Sequence, residues 1–195
     1  IWLANPLFMN DHEELRWGIL NGIEEFRLNE TLQSYLRETD SASEFEFQLD
    51  WFYKEFDKEA FDIYLFCLSR HDPDEVDGRL SMWRGYGANG DGVAIVFDTS
   101  RADEKDDLPL ILAPVHYASH DERRKWINQL AEQFTGILKD QKVAGKHEYI
   151  QAVYWLFQRL KMFALFTKHP GFAEEKEWRL VYFPDRDEAK ALHPL

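Results

Sequence analysis

The chain has 195 residues, 45% of them hydrophobic and 15% aromatic, so it can bury one sizeable core but is too short for two independent domains. Its formal net charge of −13 disfavours broad electrostatic binding to duplex nucleic acid. The single cysteine, Cys67, excludes an intrachain disulfide, and no apolar run is long enough to cross a bilayer. We therefore expect one cytoplasmic domain over residues 1–195.

The N-terminal third of the sequence predicts helices after a short strand. Ile1-Trp2-Leu3-Ala4 has the pattern of a strand, and we expect a further N-terminal strand to be missing before Ile1. Asp11 is predicted to be the N-cap of the helix that follows it. Apolar residues then recur at helical spacing, which predicts two or three helices within residues 11–60.

The middle of the sequence predicts three strands and a short helix. Ile63–Leu68 and Val93–Phe97 are continuous apolar runs bounded by polar residues, which is typical of buried strands. Between them, Leu80–Tyr86 is predicted to be a short helix, and Leu110–Tyr117 follows as another strand.

Two long helices and a strand complete the predicted order. The first helix spans about 119–141, with apolar residues four apart at Trp126, Leu130, Phe134 and Leu138. The second spans 147–167, and a final strand covers 177–183. This order predicts an α+β domain with a mixed, mainly antiparallel sheet core and helical insertions at 11–60 and 119–167.

A pair of carboxylates at the start of the last strand is the strongest candidate for chemistry. Side chains two apart on a strand share a face, so Glu175 and Glu177 are expected to project into one cleft. Their mutual repulsion is expected to raise the pKa of one of them. Such a pair suits cleavage of a glycosidic bond through an oxocarbenium-like transition state. The alternative is a solvated strand end that carries scattered charges.

Arg84 and Tyr86 precede the predicted strand Val93–Phe97 and are candidates for ligand binding. There an aromatic ring would stack on a planar ligand ring and a guanidinium would pair with a phosphate group. The alternative is that both residues serve packing and charge pairing. We expect the neighbouring Trp83 to be a core residue.

A metal-dependent nuclease is a second interpretation of the same region. Glu174 and Lys176 imitate an acidic-x-lysine strand motif, to which Asp72 or Asp74 would add a magnesium ligand. The acidic composition disfavours it, because a nuclease must approach phosphates. A third interpretation is a non-catalytic sensor or interaction module.

A series of spaced segments, spread over almost the whole chain, resembles a known family. They are Trp2-Leu3-Ala4-Asn5-Pro6, Phe8-Met9-Asn10-Asp11 with Glu14, Cys67-Leu68-Ser69, Leu80-Ser81-Met82-Trp83-Arg84-Gly85-Tyr86-Gly87, Gly92-Val93-Ala94-Ile95-Val96-Phe97, and Lys168-His169 with Phe172, Glu175 and Glu177-Trp178-Arg179. In this order they resemble bacterial domain-of-unknown-function family 2971.

The layout of that family is in turn similar to that of ADP-ribosyltransferases. In those enzymes a first strand supplies Arg, His or Tyr, a second strand ends in Ser or Tyr, and a Glu/Gln-x-Glu motif opens a later strand behind an aromatic-containing loop. By this fold-level resemblance, Ser69 matches the second-strand residue, Phe172 the loop aromatic, Glu175 the first carboxylate and Glu177 the catalytic one. The first-strand residue would lie before Ile1.

The resemblance implies an ADP-ribosyltransferase-like enzyme that cleaves the nicotinamide–ribose bond of NAD and transfers ADP-ribose to a protein or nucleic-acid acceptor. By the resemblance, Glu177 and Glu175 would be catalytic and Ser69 and Phe172 would bind NAD. Arg84 and Tyr86 are further NAD-binding candidates, in which the ring of Tyr86 would stack on nicotinamide and Arg84 would pair with the pyrophosphate. No metal site is expected, because His116 and His120 straddle a strand end and a helix start. A bacterial toxin or anti-phage effector, with an antitoxin or another protein as partner, is the biological role that such domains imply.

Overall fold

The computed structural model describes residues 3–6, 12–56, 63–72, 74–88, 91–98, 109–140, 146–184 and 187. Its helices, in chain order, are α1 (His12–Leu28), α2 (Glu30–Glu38), α3 (Ala42–Phe56), α4 (Leu80–Tyr86), α5 (His120–Asp140), α6 (Lys146–Leu165) and a 3-10 helix (Pro170–Glu175). Its strands are β1 (Tyr64–Ser69), β2 (Leu110–Pro114), β3 (His116–Tyr117), β4 (Thr167–Lys168) and β5 (Glu177–Tyr182). The α+β class is therefore confirmed.

The strands form two small sheets. In the larger one, β5 is central and pairs antiparallel with β1 on one side and with β2 on the other. In the smaller one, β3 and β4 are parallel, and Tyr117 lies opposite Lys168. At the N-terminus, Ala4 forms an isolated antiparallel bridge with Leu65 of β1, while the first two residues of the predicted opening strand lie outside the described part of the chain.

The helical core lies against one face of the larger sheet. Helix α1 packs on α5 and α6, and Gly18 of α1 allows close approach because a Cβ there would lie 2.9 Å from the Cβ of Ala164. Leu65 of β1 and Val181 of β5, which are 3% and 0% exposed, join this core from the sheet. Among the described residues, no helix combines the length and the apolar character that a membrane span requires.

Local signals explain where several helices begin. Ser119 and Glu122 form a capping box at the start of α5, in which the Ser119 backbone N–H donates to the Glu122 carboxylate at 2.8 Å. The Asn29 side chain accepts from the Leu32 backbone N–H at 2.9 Å and caps α2. The predicted cap of α1, Asp11, lies outside the described residues.

The predicted apolar face of α5 is confirmed at Leu130, Phe134 and Leu138, which are buried or packed against the core, but is wrong at one position. The buried positions of this helix are Arg123, Ile127, Ala131, Phe134, Thr135 and Leu138. Trp126, expected on the apolar face, is 39% exposed. The helix therefore buries a stripe that includes smaller and polar residues beside the apolar ones.

The predicted buried strand Val93–Phe97 is wrong. Residues 92–98 have no regular secondary structure, and Val93 and Ile95 are 88% and 76% exposed. A strand needs a partner, and residues 93–97 pair with none of the strands that the structure describes. The predicted strand Leu110–Tyr117 is instead divided at Val115 into β2 and β3.

Candidate functional site

Glu177 is the first residue of β5, and its side chain is buried at 6% exposure. Arg179, two positions along the strand, lies on the same sheet face. Its Nε donates to Glu177 Oε1 at 2.6 Å, and its Nη2 donates to Oε2 at 3.2 Å. This two-point pairing fixes the orientation of the carboxylate.

Lys168 is the second cation at this site and is only 1% exposed. Its Nζ lies 2.7 Å from Glu175 Oε2 and 3.4 Å from Glu177 Oε2. With Arg179, two cations therefore face two carboxylates, and the formal charges of the group cancel. We call these four residues the buried charge cluster.

The 3-10 helix leads into the buried charge cluster. His169 is the N-cap of this helix, and its side chain accepts a hydrogen bond from the Gly171 backbone N–H at 3.0 Å. Glu175 is the last residue of that helix and does not belong to β5. Lys176 follows in the left-handed region with a φ of 42°, which turns the chain into the strand. The strand alternation from which we predicted a shared face is therefore wrong, although both carboxylates do meet at Lys168.

The pKa of Glu177 is lowered, so this carboxylate is not the member of the pair whose pKa was predicted to rise. Burial alone would raise the pKa of Glu177, but hydrogen bonds and charge from Arg179, together with Cys67 and Lys168, lower it below its ordinary value. Glu177 is therefore ionised at neutral pH. Each carboxylate of the pair has a cation within hydrogen-bonding distance.

Two of the predicted binding residues border the cluster. Ser69 ends β1 directly opposite Glu177, and its Oγ donates to the Glu175 carbonyl oxygen at 2.6 Å. The ring centroid of Phe172 lies 4.7 Å from Lys168 Nζ, which is a cation–π contact. Phe172 is 43% exposed, so the cluster lies beneath a ring that solvent reaches.

Arg84 and Tyr86 lie on α4, outside the buried cluster. Both are exposed, Tyr86 by 61%. Helix α4 contacts the 3-10 helix, and Arg79 at its start donates to the Glu174 carbonyl oxygen at 2.7 Å. Trp83 was expected in the core, but it is 36% exposed and donates from Nε1 to the Asp77 carbonyl oxygen.

Four residues of the site were given no catalytic or binding role by the sequence prediction: Lys168, Arg179, Tyr117 and Cys67. The Glu177 backbone N–H donates to the Tyr117 hydroxyl at 2.8 Å, and the Cys67 thiol hydrogen-bonds to the Glu177 carboxylate. Burial raises the pKa of Tyr117, which the nearby carboxylates reinforce, so its hydroxyl stays protonated. The period-2 alternation of β5 would have identified Arg179 as a neighbour of Glu177.

The residues of the nuclease interpretation lie at the surface, where two of them form an ion pair. Glu174 is exposed on the 3-10 helix, and Lys176 Nζ lies 3.7 Å from Asp72 Oδ2 in an exposed ion pair. Across the part of the chain that the structure describes, no three His, Cys, Asp or Glu side chains are grouped as metal ligands would be.

Comparison with known proteins gives a family match. The profile of the family described as Protein of unknown function (DUF2971) matches residues 82–180, which are 99 of the 195 residues. The match contains the whole buried charge cluster, whereas the N-terminal segments and Cys67–Ser69 of the resemblance lie outside it. No similar curated protein and no similar solved structure was found. Because the profile covers more than half of the sequence, the chain belongs to the DUF2971 family.

Proposed function

We propose that this protein is an ADP-ribosyltransferase-like enzyme that uses NAD as the donor. The observation that carries the proposal is the buried, ionised carboxylate of Glu177 at the start of the central strand. Glu175 lies beside it, with its side chain 18% exposed, and Phe172 lies above Lys168. Ser69, the last residue of the neighbouring strand β1, donates a hydrogen bond to the carbonyl oxygen of Glu175.

The reaction would proceed by cleavage of the bond between the ribose C1′ and the nicotinamide nitrogen. Nicotinamide leaves with the bonding electron pair, and positive charge develops on the ribose. An ionised carboxylate in a low-dielectric setting stabilises that charge more than it does in water. The acceptor nucleophile then bonds to C1′ and loses a proton to a carboxylate of the pair.

The surrounding residues suggest how NAD would be held. Phe172, an exposed aromatic ring beside the cluster, offers a stacking surface for nicotinamide. Arg84 and Tyr86 lie on α4, which contacts the 3-10 helix, and Arg84 would pair with the pyrophosphate. Ser69 would act through Glu175, since its hydroxyl donates to the carbonyl oxygen of that residue.

The test is release of nicotinamide from NAD by the purified chain, with NAD labelled in the nicotinamide ring and, separately, in adenine. Glu177→Gln should reduce release by at least about 100-fold, as loss of a group that stabilises transition-state charge does. Glu174→Gln is the matched control, because Glu174 is exposed and contributes its carbonyl oxygen rather than its side chain to a described contact. It should leave the rate unchanged.

Two further measurements separate a catalytic role from loss of the fold. Circular dichroism and the melting temperature of Glu177→Gln establish whether the variant is folded at the assay temperature. Glu175→Gln, a change at the more exposed carboxylate, should lower transfer of labelled ADP-ribose to an acceptor more than it lowers nicotinamide release. Wild-type protein that releases no nicotinamide would refute the transferase proposal, and magnesium-dependent cutting of DNA or RNA would favour a nuclease.

The family resemblance also suggests a bacterial toxin or anti-phage effector that acts on a protein or nucleic-acid acceptor and is restrained by a protein partner. A non-catalytic interaction module is the second candidate function. The observation that favours it is the apolar surface that residues 93–97 expose. Absence of both nicotinamide release and nucleic-acid cutting, together with partner binding through that surface, would support the interaction module.

A further inference from the structure

The two faces of the larger sheet have different surroundings. One face carries Leu65 and Val181, which join the helical core, and the buried side chain of Glu177. Side chains alternate along each strand, so the neighbouring positions point to the opposite face. We call this opposite side the outer face.

The outer face is apolar across all three strands. One row of paired residues consists of Phe66, Leu180 and Leu112, and the next consists of Leu68, Trp178 and Pro114. None of these six residues is fully buried, and Leu112 is 45% exposed. An antiparallel sheet with one face in water usually places polar residues on that face. The outer face therefore has the composition of a covered surface.

Residues 93–97 extend this apolar surface. The ring of Phe97 meets that of Phe66 edge-on, with centroids 6.2 Å apart. Val93, Ile95 and Val96 are each at least 70% exposed. Contiguous exposed apolar surface of this kind marks a site of interaction.

Among the segments outside the described residues, residues 57–62 lead into β1 and residues 99–108 lead into β2, and their composition does not suit a cover. Residues 57–62 and 99–108 contain 16 residues, of which 10 are charged. Their apolar residues are only Ala60, Phe61, Ala102 and Leu108. Six large apolar side chains need a cover richer in apolar residues than these two segments.

The charge of the chain indicates which partner would cover the face. Residues 71–108 contain 10 acidic and 4 basic residues, so acidic groups flank the apolar run 93–97 in the sequence. A second copy would bring two chains of charge −13 together, whereas a basic partner would be attracted. We propose that the outer face, with residues 93–97, binds an amphipathic helix of another polypeptide whose apolar stripe is edged by Lys and Arg.

The test uses the 195-residue chain and a fluorescein-labelled amphipathic peptide of Leu and Lys. The peptide has about 18 residues and is therefore about 27 Å long as a helix. A peptide with Glu in place of every Lys tests the charge requirement. Leu112→Lys disrupts the outer face, and Ile137→Lys is the matched control, because Ile137 is 52% exposed on α5. Both variants change the net charge equally.

The Leu/Lys peptide should bind, and Leu112→Lys should weaken binding at least about tenfold while Ile137→Lys changes it less than about twofold. Equal weakening by both variants would mean diffuse attraction to an acidic surface and would overturn the proposal. If the Leu/Glu peptide binds as tightly as the Leu/Lys peptide, the proposal that the partner is basic is overturned. Sedimentation of the wild-type chain as a dimer that Leu112→Lys dissociates would assign the face to a second copy instead.

Discussion

The Glu177–Arg179 pair allows a quantitative test of the buried charge cluster. Replacing Arg179 with Met keeps much of the side-chain volume but removes the charge that pairs with a carboxylate of 6% exposure. Lys168 then faces Glu175 and Glu177 together, and one negative charge is uncompensated. Loss of one partner from a buried ion pair costs about 3–5 kcal/mol of unfolding free energy.

The double variant Arg179→Met with Glu177→Leu distinguishes this cost from loss of packing. It leaves Lys168 paired with Glu175 at 2.7 Å, so the remaining charges cancel. It still loses the hydrogen bond from Arg179 Nη1 to the Leu165 carbonyl oxygen, made at 2.6 Å. An unsatisfied buried acceptor costs about 1–3 kcal/mol, so the double variant should be more stable than the single one.

Urea denaturation followed by circular dichroism measures both free energies. Arg27→Met is the matched control, because Arg27 also contacts two carboxylates, Glu46 at 2.9 Å and Asp50 at 2.7 Å, but its side chain is 38% exposed. An exposed pair contributes about 1 kcal/mol or less. The reasoning is refuted if Arg179→Met costs no more than this control, or if the double variant is less stable than the single one.

Three further predictions concern pH, packing and capping. Folding lowers the pKa of Glu177, so the stabilising effect of this carboxylate is present above the ordinary Glu pKa and is lost as the pH falls toward the lowered value. The free energy of unfolding should therefore fall less steeply with decreasing pH in Glu177→Gln than in the wild type, by up to about 1.4 kcal/mol per pH unit. Gly22→Ala should destabilise the protein by about 1–3 kcal/mol, because the new Cβ would collide with the side chain of Leu160. Gly136→Ala, at a helix position with open space around it, should stabilise the protein by up to about 1 kcal/mol, and thermal melts compare the two variants. Asn29→Ala should lower the unfolding free energy by about 0.5–2 kcal/mol through loss of the α2 cap, and an unchanged melting temperature would contradict the capping role.

The elements that could be predicted from the sequence are those whose pattern is local. Helices α5 and α6 and strand β1 lie within a few residues of their predicted bounds, because apolar period and capping residues act over one or two turns. Val93–Phe97 has the composition of a strand, yet whether it pairs depends on β2, which takes the free edge of β5. Such competition between distant segments cannot be predicted from a short window of sequence.

The candidate site divides in the same way. Glu175, Glu177 and Phe172 lie within six residues of one another, and a motif at fixed spacing identifies them. Lys168 joins them because β4 pairs with β3, and Tyr117 comes from the opposite strand of that pair. The lowered pKa of Glu177 follows from cations that the carboxylate motif alone does not predict.

The position of β5 between β1 and β2 has a consequence for the order in which the protein folds. Ser69 and Glu175, which are hydrogen-bonded where these strands meet, are 106 positions apart in the chain. Closing so long a loop is slow compared with forming helices, whose contacts are local. We therefore expect the helices to gain protection from amide hydrogen exchange first, and all three strands to become protected together in a later, single kinetic phase.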